Sequence, residues 1–369
     1  MYSRIIETYL TVCIPELNIS VRQYGSNGEK TSGFLARMTN DCLRFKPTVG
    51  ITCYGMNDHE YRAYQDGIGL AYRTNSTAIV EAFKANHVRV IQGSPSPVGK
   101  HPTWVGDPNA TVEDMNLNLC QLRNIGIEVA QQEEIGFADV FWPMLTIDHE
   151  AKQKYGPSYA LTGKDGVHPG WAGHLVMAYV FLRALGLDGD IGSFTVDMKS
   201  NMATVSLGHE LLSFNNGELQ IESHRYPFCP GDGDPAKDDN VHSGTLLVPF
   251  DQDLNRLMLF VKHARAKSYQ IVWGDQSKTF TARELAEGVN LSKEFLQNPF
   301  SEAFRRVDEA VAAKQAYETK QIREIFRSPG AKSDMAEVVS TTEEEREALV
   351  AAIRQAFVPV KHTIKLVAQ

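Results

Sequence analysis

The sequence predicts an α/β protein: a parallel sheet covered by helices on both faces, followed by a β-rich and helical extension. Two patterns carry this expectation. From Leu17 to about Gly186, strand-like and helix-like runs alternate, which implies parallel strands joined by helices. From Phe194 to about Phe280, short β-type runs follow one another, and helical periodicity then takes over. The composition fits, since 43% of the 369 residues are hydrophobic and 22% charged, as in soluble globular proteins. A chain of this length buries a sizeable core without staples.

The elements are expected in this order. "MYSRIIETYL" reads as an amphipathic helix with Ile5, Ile6, Tyr9 and Leu10 on one face. It lacks the basic start, apolar core and cleavage site of a signal peptide. "LNISVRQYG" (17–25) is expected as the first strand, and "GFLARMTNDCLRFK" (33–46) as a helix stopped before Pro47. "TVGITCYG" (48–55) is the second strand, "TNSTAIVEAFKANH" (74–87) a helix, and "VRVIQGSPSP" (88–97) a third strand ended by prolines. "TVEDMNLNLCQLRNIG" (111–126) is a helix with Thr111 as N-cap and Gly126 as its stop. "IEVAQQ" (127–132) is the fourth strand, and "GWAGHLVMAYVFLRALG" (170–186) a strongly apolar helix.

In the second part, strands are expected at "FTVDMK", "ATVSLG", "ELLSF", "ELQIES", "TLLVPF", "RLMLFVKHA" and "SYQIVWG", with a hairpin turn at Asn215–Gly217. The region Thr281–Arg327 is helical in pattern. "STTEEEREALVAAIRQAFV" (340–358) reads as one more helix, capped by Ser340 or Thr341. The expected boundaries are 1–192 for the α/β domain, 193–281 for an antiparallel β module, 282–328 for a helical segment, and 329–369 for a loose linker and last helix.

A net charge of -8 with no basic block argues against a nucleic-acid partner. No apolar run reaches the length of a membrane span. Cys13, Cys42, Cys53, Cys120 and Cys229 form no C-x-x-C pair, so a zinc knuckle or thioredoxin-like site is not expected.

Two stretches carry chemistry. "YGMNDHEY" (54–61) puts Gly55, Asn57 and Asp58 where a buried strand ends, and ligand sites in open α/β sheets lie outside such ends. Taken alone, those residues describe a turn. "GKDGVHPGWAGH" (163–174) sets Asp165 and His168 three apart, just before a helix. A carboxylate so placed can fix the tautomer of an imidazole and support the imidazolium of general-base catalysis. Taken alone, the stretch equally describes an Asp helix cap with an incidental His.

Together the two stretches resemble the SGNH (GDSL-type) hydrolases. The glycine turn of the second block is matched by "QYGSNGEKT", with Gly25 in the glycine position and Gln23 where Asn is usual. Gly-x-Asn-Asp is matched by Gly55, Asn57 and Asp58. Asp-x-x-His-Pro is matched by Asp165, His168 and Pro169, followed by Gly173 and His174, and "SPSPV" at 94–98 is similar to the proline-rich turn. The resemblance covers roughly the first half of the chain. It implies a three-layer, flavodoxin-like sheet and an ester hydrolase working through a serine acyl-enzyme. It further implies His168 as base, Asp165 orienting it, and Gly25 N–H with the Asn57 amide as the oxyanion hole. No metal or organic cofactor is implied. The substrate class implied is a small-molecule or glycan ester, such as an acetylated carbohydrate. Asp58 is expected to hold the loop, and His59 to be incidental.

The family's first block, Gly-Asp-Ser, has no counterpart before "RIIETYL". Ser3 is expected about three helical turns too late to serve. The expectation is therefore a sheet without its first strand, no nucleophile in this chain, and little activity in the chain as given. In a flavodoxin-like order the first strand lies between the second and third, so two rows of backbone groups would need other partners. A Gly-Asp-Ser block, and any signal peptide that would set localisation, would then lie upstream of Met1. The rival reading is a non-catalytic, glycan-binding pseudoenzyme. "CPGDGDPAKDDNVHS" (229–243) does not fit a calcium loop, because Lys237 and Ser243 fall where Gly and Glu are required. Tyr269, Trp273 and Phe280 are expected to pack a core rather than bind sugar.

Overall fold

The computed structural model describes residues 1–107 and 110–369. Its first part is a three-layer arrangement. Helices α1 (Tyr2–Cys13), α2 (Thr31–Asp41), α3 (Asp66–Ala85), α4 (Val112–Gln132), α5 (Phe141–Tyr155) and α6 (Trp171–Ala184) surround strands β1 (Val49–Cys53), β2 (Arg89–Gly93) and β3 (Gly136–Ala138). The strands are parallel in the order β1-β2-β3, with Ile51 opposite Ile91 and Ile91 opposite Gly136. Successive residues of β2 serve opposite faces. Val90 joins a core with α2, α3 and α4, whereas Ile91 joins one with α1 and α6.

Ile5, Ile6, Tyr9 and Leu10 are all buried, as the helical period of α1 requires. Ser3 lies in α1, and its hydroxyl donates to Gln315 Oε1 at 2.8 Å.

Residues 17–25 are not a strand. The run alternates correctly, but among the described residues no strand lies beside it, and its backbone groups are taken by side chains instead. Val21 O accepts from Lys314 Nζ (2.5 Å) and Arg346 Nη2 (3.3 Å). Gln23 N donates to Glu318 Oε2 (3.0 Å), and Tyr24 O accepts from Arg37 Nη2 (2.7 Å). Among the described residues β1 pairs with β2 alone and forms the edge of its sheet.

Residues 127–132 also depart from expectation, because they continue α4. Leu122, Ile125 and Val129 recur at helical spacing and bury one face. Gly126 does not stop the helix. A Cβ there would stand 3.2 Å from both Gln92 Nε2 and Phe137 Cε2, so it marks close helix–sheet packing. The strand in that slot is the short β3. Thr111 does cap α4, its side chain accepting from Asp114 N at 3.0 Å.

The second part contains β4 (Asp190–Asp197), β5 (Met202–Val205), β6 (His209–Asn215), β7 (Glu218–Ser223), β8 (Arg256–Lys262), β9 (Ser268–Trp273), β10 (Gln276–Thr281), β11 (Val289–Asn290) and β12 (Val360–Ala368). One sheet runs β11-β8-β4-β5, with β4 and β8 parallel, and the other runs β10-β9-β12-β7-β6, all antiparallel. The hairpin turn lies at Asn216 and Gly217, both at positive φ. "TLLVPF" is not a strand: it spans the end of a short helix capped by Asn240 and the start of another after Pro249. Tyr269 and Trp273 are buried in the core.

Two long helices follow, α7 (Ser301–Arg323) and α8 (Met335–Ala356). The cap of α8 is Asp334, which accepts from Glu337 N at 3.0 Å, so Ser340 and Thr341 lie inside the helix. Between α1, α7 and α8 sits a buried ionic cluster. Lys314 bonds Glu7 (3.0 Å) and Glu318 (2.8 Å), and Arg346 bonds Glu318 (2.7 Å). No helix among the described residues is long and apolar enough to cross a membrane.

Candidate active site

The loop after β1 is built around Asp58. Its Oδ1 accepts from Thr31 N (2.9 Å) and Thr31 Oγ1 (2.5 Å), and its Oδ2 from Gly55 N (3.1 Å). Burial raises the Asp58 carboxyl above the usual range, and the Thr31 and Gly55 donors oppose that shift. Gly55 has φ +119°, and a Cβ there would lie 2.8 Å from Pro95 Cγ, so only glycine fits against the proline turn. His59 is fully buried with Nδ1 bonded to Met56 O, and burial pushes its imidazole down to about 4. It is a scaffold group.

Asn57 is thereby left at the loop's open side. Its Nδ2 donates to Glu29 O (3.2 Å), and its Oδ1 accepts from Tyr61 Oη (3.2 Å). One of its two amide N–H groups is thus left for a ligand. The Glu29 carbonyl belongs to the same loop as Gly25. Gly25 itself makes no hydrogen bond to Asn57, Asp165 or His168 among the described residues.

Asp165 and His168 form a pair. His168 Nδ1 lies 2.7 Å from Asp165 Oδ2, while Asp165 Oδ1 accepts from Val167 N and His168 N, each at 2.9 Å. Desolvation acts to raise the Asp165 carboxyl. The hydrogen bonds from His168 and Val167 outweigh it and hold the group below the usual carboxylate range. The His168 side chain is 74% exposed. Pro169 precedes the cap of α6, which is Gly170. Gly163, at φ +88°, sets the loop's shape, since a Cβ there would fall 1.7 Å from His168 O. Gly99 N, in the proline turn, donates to Gly166 O at 2.9 Å and braces the same loop.

Aromatic contacts join the two loops. Tyr61 meets Trp104 edge to face (6.1 Å), and Trp104 meets His168 (5.7 Å). Burial raises the Tyr61 hydroxyl, and the nearby Asp165 charge adds to this. The start of α1 lies at the same edge, where Tyr2 stacks on His174. Burial pushes the His174 imidazole down to about 3, with the Met1 amino group and His168 adding to the effect.

Asn57, Asp165 and His168 therefore share one edge of the sheet. Tyr61 and Trp104, which complete it, were not singled out in the sequence. The usable signal was an exposed aromatic between Pro102 and Gly106, in a loop without periodicity. No group of three or more His, Cys, Asp or Glu side chains among the described residues is arranged to hold a metal.

The chain resembles several solved structures. BT4096, a gut microbial diltiazem-metabolizing enzyme, is 22% identical, with 100% of this chain and 94% of that chain covered and a TM-score of 0.78. The overall fold, extension included, is thus shared. Two others cover 50% of this chain and 81% of their own, with a TM-score of 0.41. They are LAE5, an alpha/beta hydrolase enzyme from the metagenome of Lake Arreo, Spain (22% identical), and Axe2, an acetylxylan esterase from Geobacillus stearothermophilus (23% identical). No curated protein matches the chain significantly. Residues 6–176 match the GDSL-like Lipase/Acylhydrolase family. Over that stretch, which spans the sheet and both candidate loops, the chain is similar to this family of hydrolases.

Proposed function

We propose that this site hydrolyses acyl esters of small molecules or glycans through a serine acyl-enzyme. The observation that carries the reading is the Asp165–His168 pair, bonded at 2.7 Å with the imidazole otherwise open to solvent. In this reading Asp165 holds Nδ1–H, so that Nε2 is the basic nitrogen. His168 takes the proton of the attacking hydroxyl and passes it to the departing alkoxide. Water then repeats the sequence on the acyl-enzyme and releases the acid. The free N–H of Asn57 and the backbone N–H of Gly25 receive the negative charge of each tetrahedral intermediate.

Ser3 is not the nucleophile in this reading, because its hydroxyl is bound to Gln315. The N-terminus of α1 lies beside His174, where Tyr2 stacks on the imidazole. A serine delivered there, on a Gly-Asp-Ser turn ahead of the helix, would meet the base. Its oxyanion would also face the positive end of the helix dipole.

The test is turnover of para-nitrophenyl acetate by residues 1–369 and by a chain extended upstream through a Gly-Asp-Ser block. The extended chain should hydrolyse the ester and lose about 10⁴-fold in kcat on His168→Ala. The shorter chain should show little turnover. Rapid hydrolysis by the shorter chain, unchanged by His168→Ala, would sink the assignment. Glycan binding without hydrolysis by either chain would favour the pseudoenzyme.

A further inference from the structure

We propose that Tyr61 and Trp104 form a subsite for a six-membered ring, placing an ester carried on that ring at His168. The proposal rests on the hydrolase reading only for what happens to the ester. The site is a cleft of about 360 Å³ beside the catalytic edge, walled by Tyr61 and Trp104 and rimmed by Glu60 and Arg62. Trp104 is 48% exposed although its ring touches both Tyr61 and His168. About half of the Trp104 side chain is thus left open at the reacting edge, where a ligand could stack on it. The two rings stand at 83° to one another, which makes a corner rather than a flat patch. A six-membered ring, aryl or pyranose, presents a broad face to such a wall, and a long acyl chain gains less from it.

The backbone supplies the second observation. Glu60 and Tyr61 are consecutive non-glycine residues at φ +55° and +54°. Side-chain-bearing residues avoid that conformation, and it persists only where its surroundings impose it. Here they do. Asn118 Nδ2 donates to His59 O and Arg62 O, each at 2.9 Å, and Lys30 pairs with Glu60 at 2.7 Å. The product of this enforced turn is the position of Tyr61, whose hydroxyl reaches Asn57 while its ring meets Trp104. The rim offers Arg62 as donor and Glu60 as acceptor, 3.5 Å apart. Such a rim suits a ring bearing polar substituents.

The test uses amides in place of esters, so that binding is read without turnover. The probes are methyl N-acetylglucosaminide, N-phenylacetamide and the acyclic N-propylacetamide, titrated against the whole chain by tryptophan fluorescence and NMR. At least one ring probe should bind about tenfold tighter than the acyclic one. The tighter of the two ring probes tells whether a sugar or an aryl ring is the natural occupant. Trp104→Ala should abolish the ring preference and Trp104→Phe should keep most of it, with unchanged melting temperatures for both. Equal affinities for ring and chain probes, or no binding of any probe, would overturn the proposal. A ring preference without ester hydrolysis would leave the subsite standing and sink the hydrolase reading. Hydrolysis without a ring preference would do the reverse.

Discussion

Replacing Glu318 by alanine removes the centre of the buried ionic cluster. Its Oε1 accepts from Lys314 Nζ (2.8 Å) and Arg346 Nε (2.7 Å), and its Oε2 accepts from Gln23 N (3.0 Å). The side chains of Lys314 and Glu318 are each only 1% exposed. With Glu7 the cluster holds two carboxylates and two cations, and so is neutral. The alanine variant would leave one carboxylate facing two cations, and the half-buried Gln23 N–H without its acceptor. Breaking a buried pair from one side costs about 3–5 kcal/mol. Glu318→Gln keeps the shape and one acceptor but loses the charge, and should cost about 1.5–3 kcal/mol, the worth of a hydrogen bond to a charged group. Urea unfolding reads both as a shift in midpoint at constant slope. Hydrogen exchange should quicken at Gln23, because its acceptor is gone. Glu302→Ala, on the exposed side of α7, should leave the midpoint unmoved. A loss below about 1 kcal/mol for Glu318→Ala, within the range of an exposed pair, would refute the reasoning.

Three further outcomes are expected. His59, the half-buried His174 and His362 are held at about 4, 3 and 3, so the fold binds fewer protons than the unfolded chain at mildly acid pH. Their contribution is fully present above the ordinary histidine value of about 6.5 and is lost as pH falls towards their folded values. Together they set a slope of up to about 4 kcal/mol per pH unit between roughly pH 6 and 4, and a stability profile flat across that window would contradict this. Gly163→Ala should cost about 1–3 kcal/mol in thermal stability and lower kcat in the active enzyme, since the new Cβ displaces His168 O from 1.7 Å. Asn57→Ala in the extended chain should lower kcat by about 10²–10³; an unchanged rate would rule out the proposed role of Asn57 as an oxyanion donor.

What the sequence revealed of this molecule was set by how local each signal is. Asp165 and His168 are three residues apart, so their pairing is a property of one turn. Asn57 stands at the end of a short apolar strand, and that punctuation is visible without a structure. The 17–25 run failed as a strand because alternation reports the faces of a segment and not whether a neighbour exists. Its actual partners, Lys314, Glu318 and Arg346, lie some 300 residues away; Gln23 and Glu318 are 295 apart. Residues 127–132 failed because β-branched Ile127 and Val129 suggested a strand, while the deciding contacts came from a face shared with Leu122. Strand β12 gave no expectation at all, since "VKHTIKLVA" was overshadowed by the helical period before it.

The place of β12 in its sheet sets a timetable for synthesis. It is the middle strand, pairing with β7 on one side and β9 on the other. Its His362 hydrogen-bonds Ser223, 139 positions earlier, at 2.9 Å. At about 5–20 residues per second, the ribosome leaves β7 and β9 waiting on the order of ten seconds for the strand that joins them. Through that interval each presents an open hydrogen-bonding edge flanked by apolar side chains, a surface on which nascent chains stick to one another. The yield of soluble protein should therefore depend on how fast the message is read through its final stretch and on the chaperones that shield those edges, and growth in the cold should help.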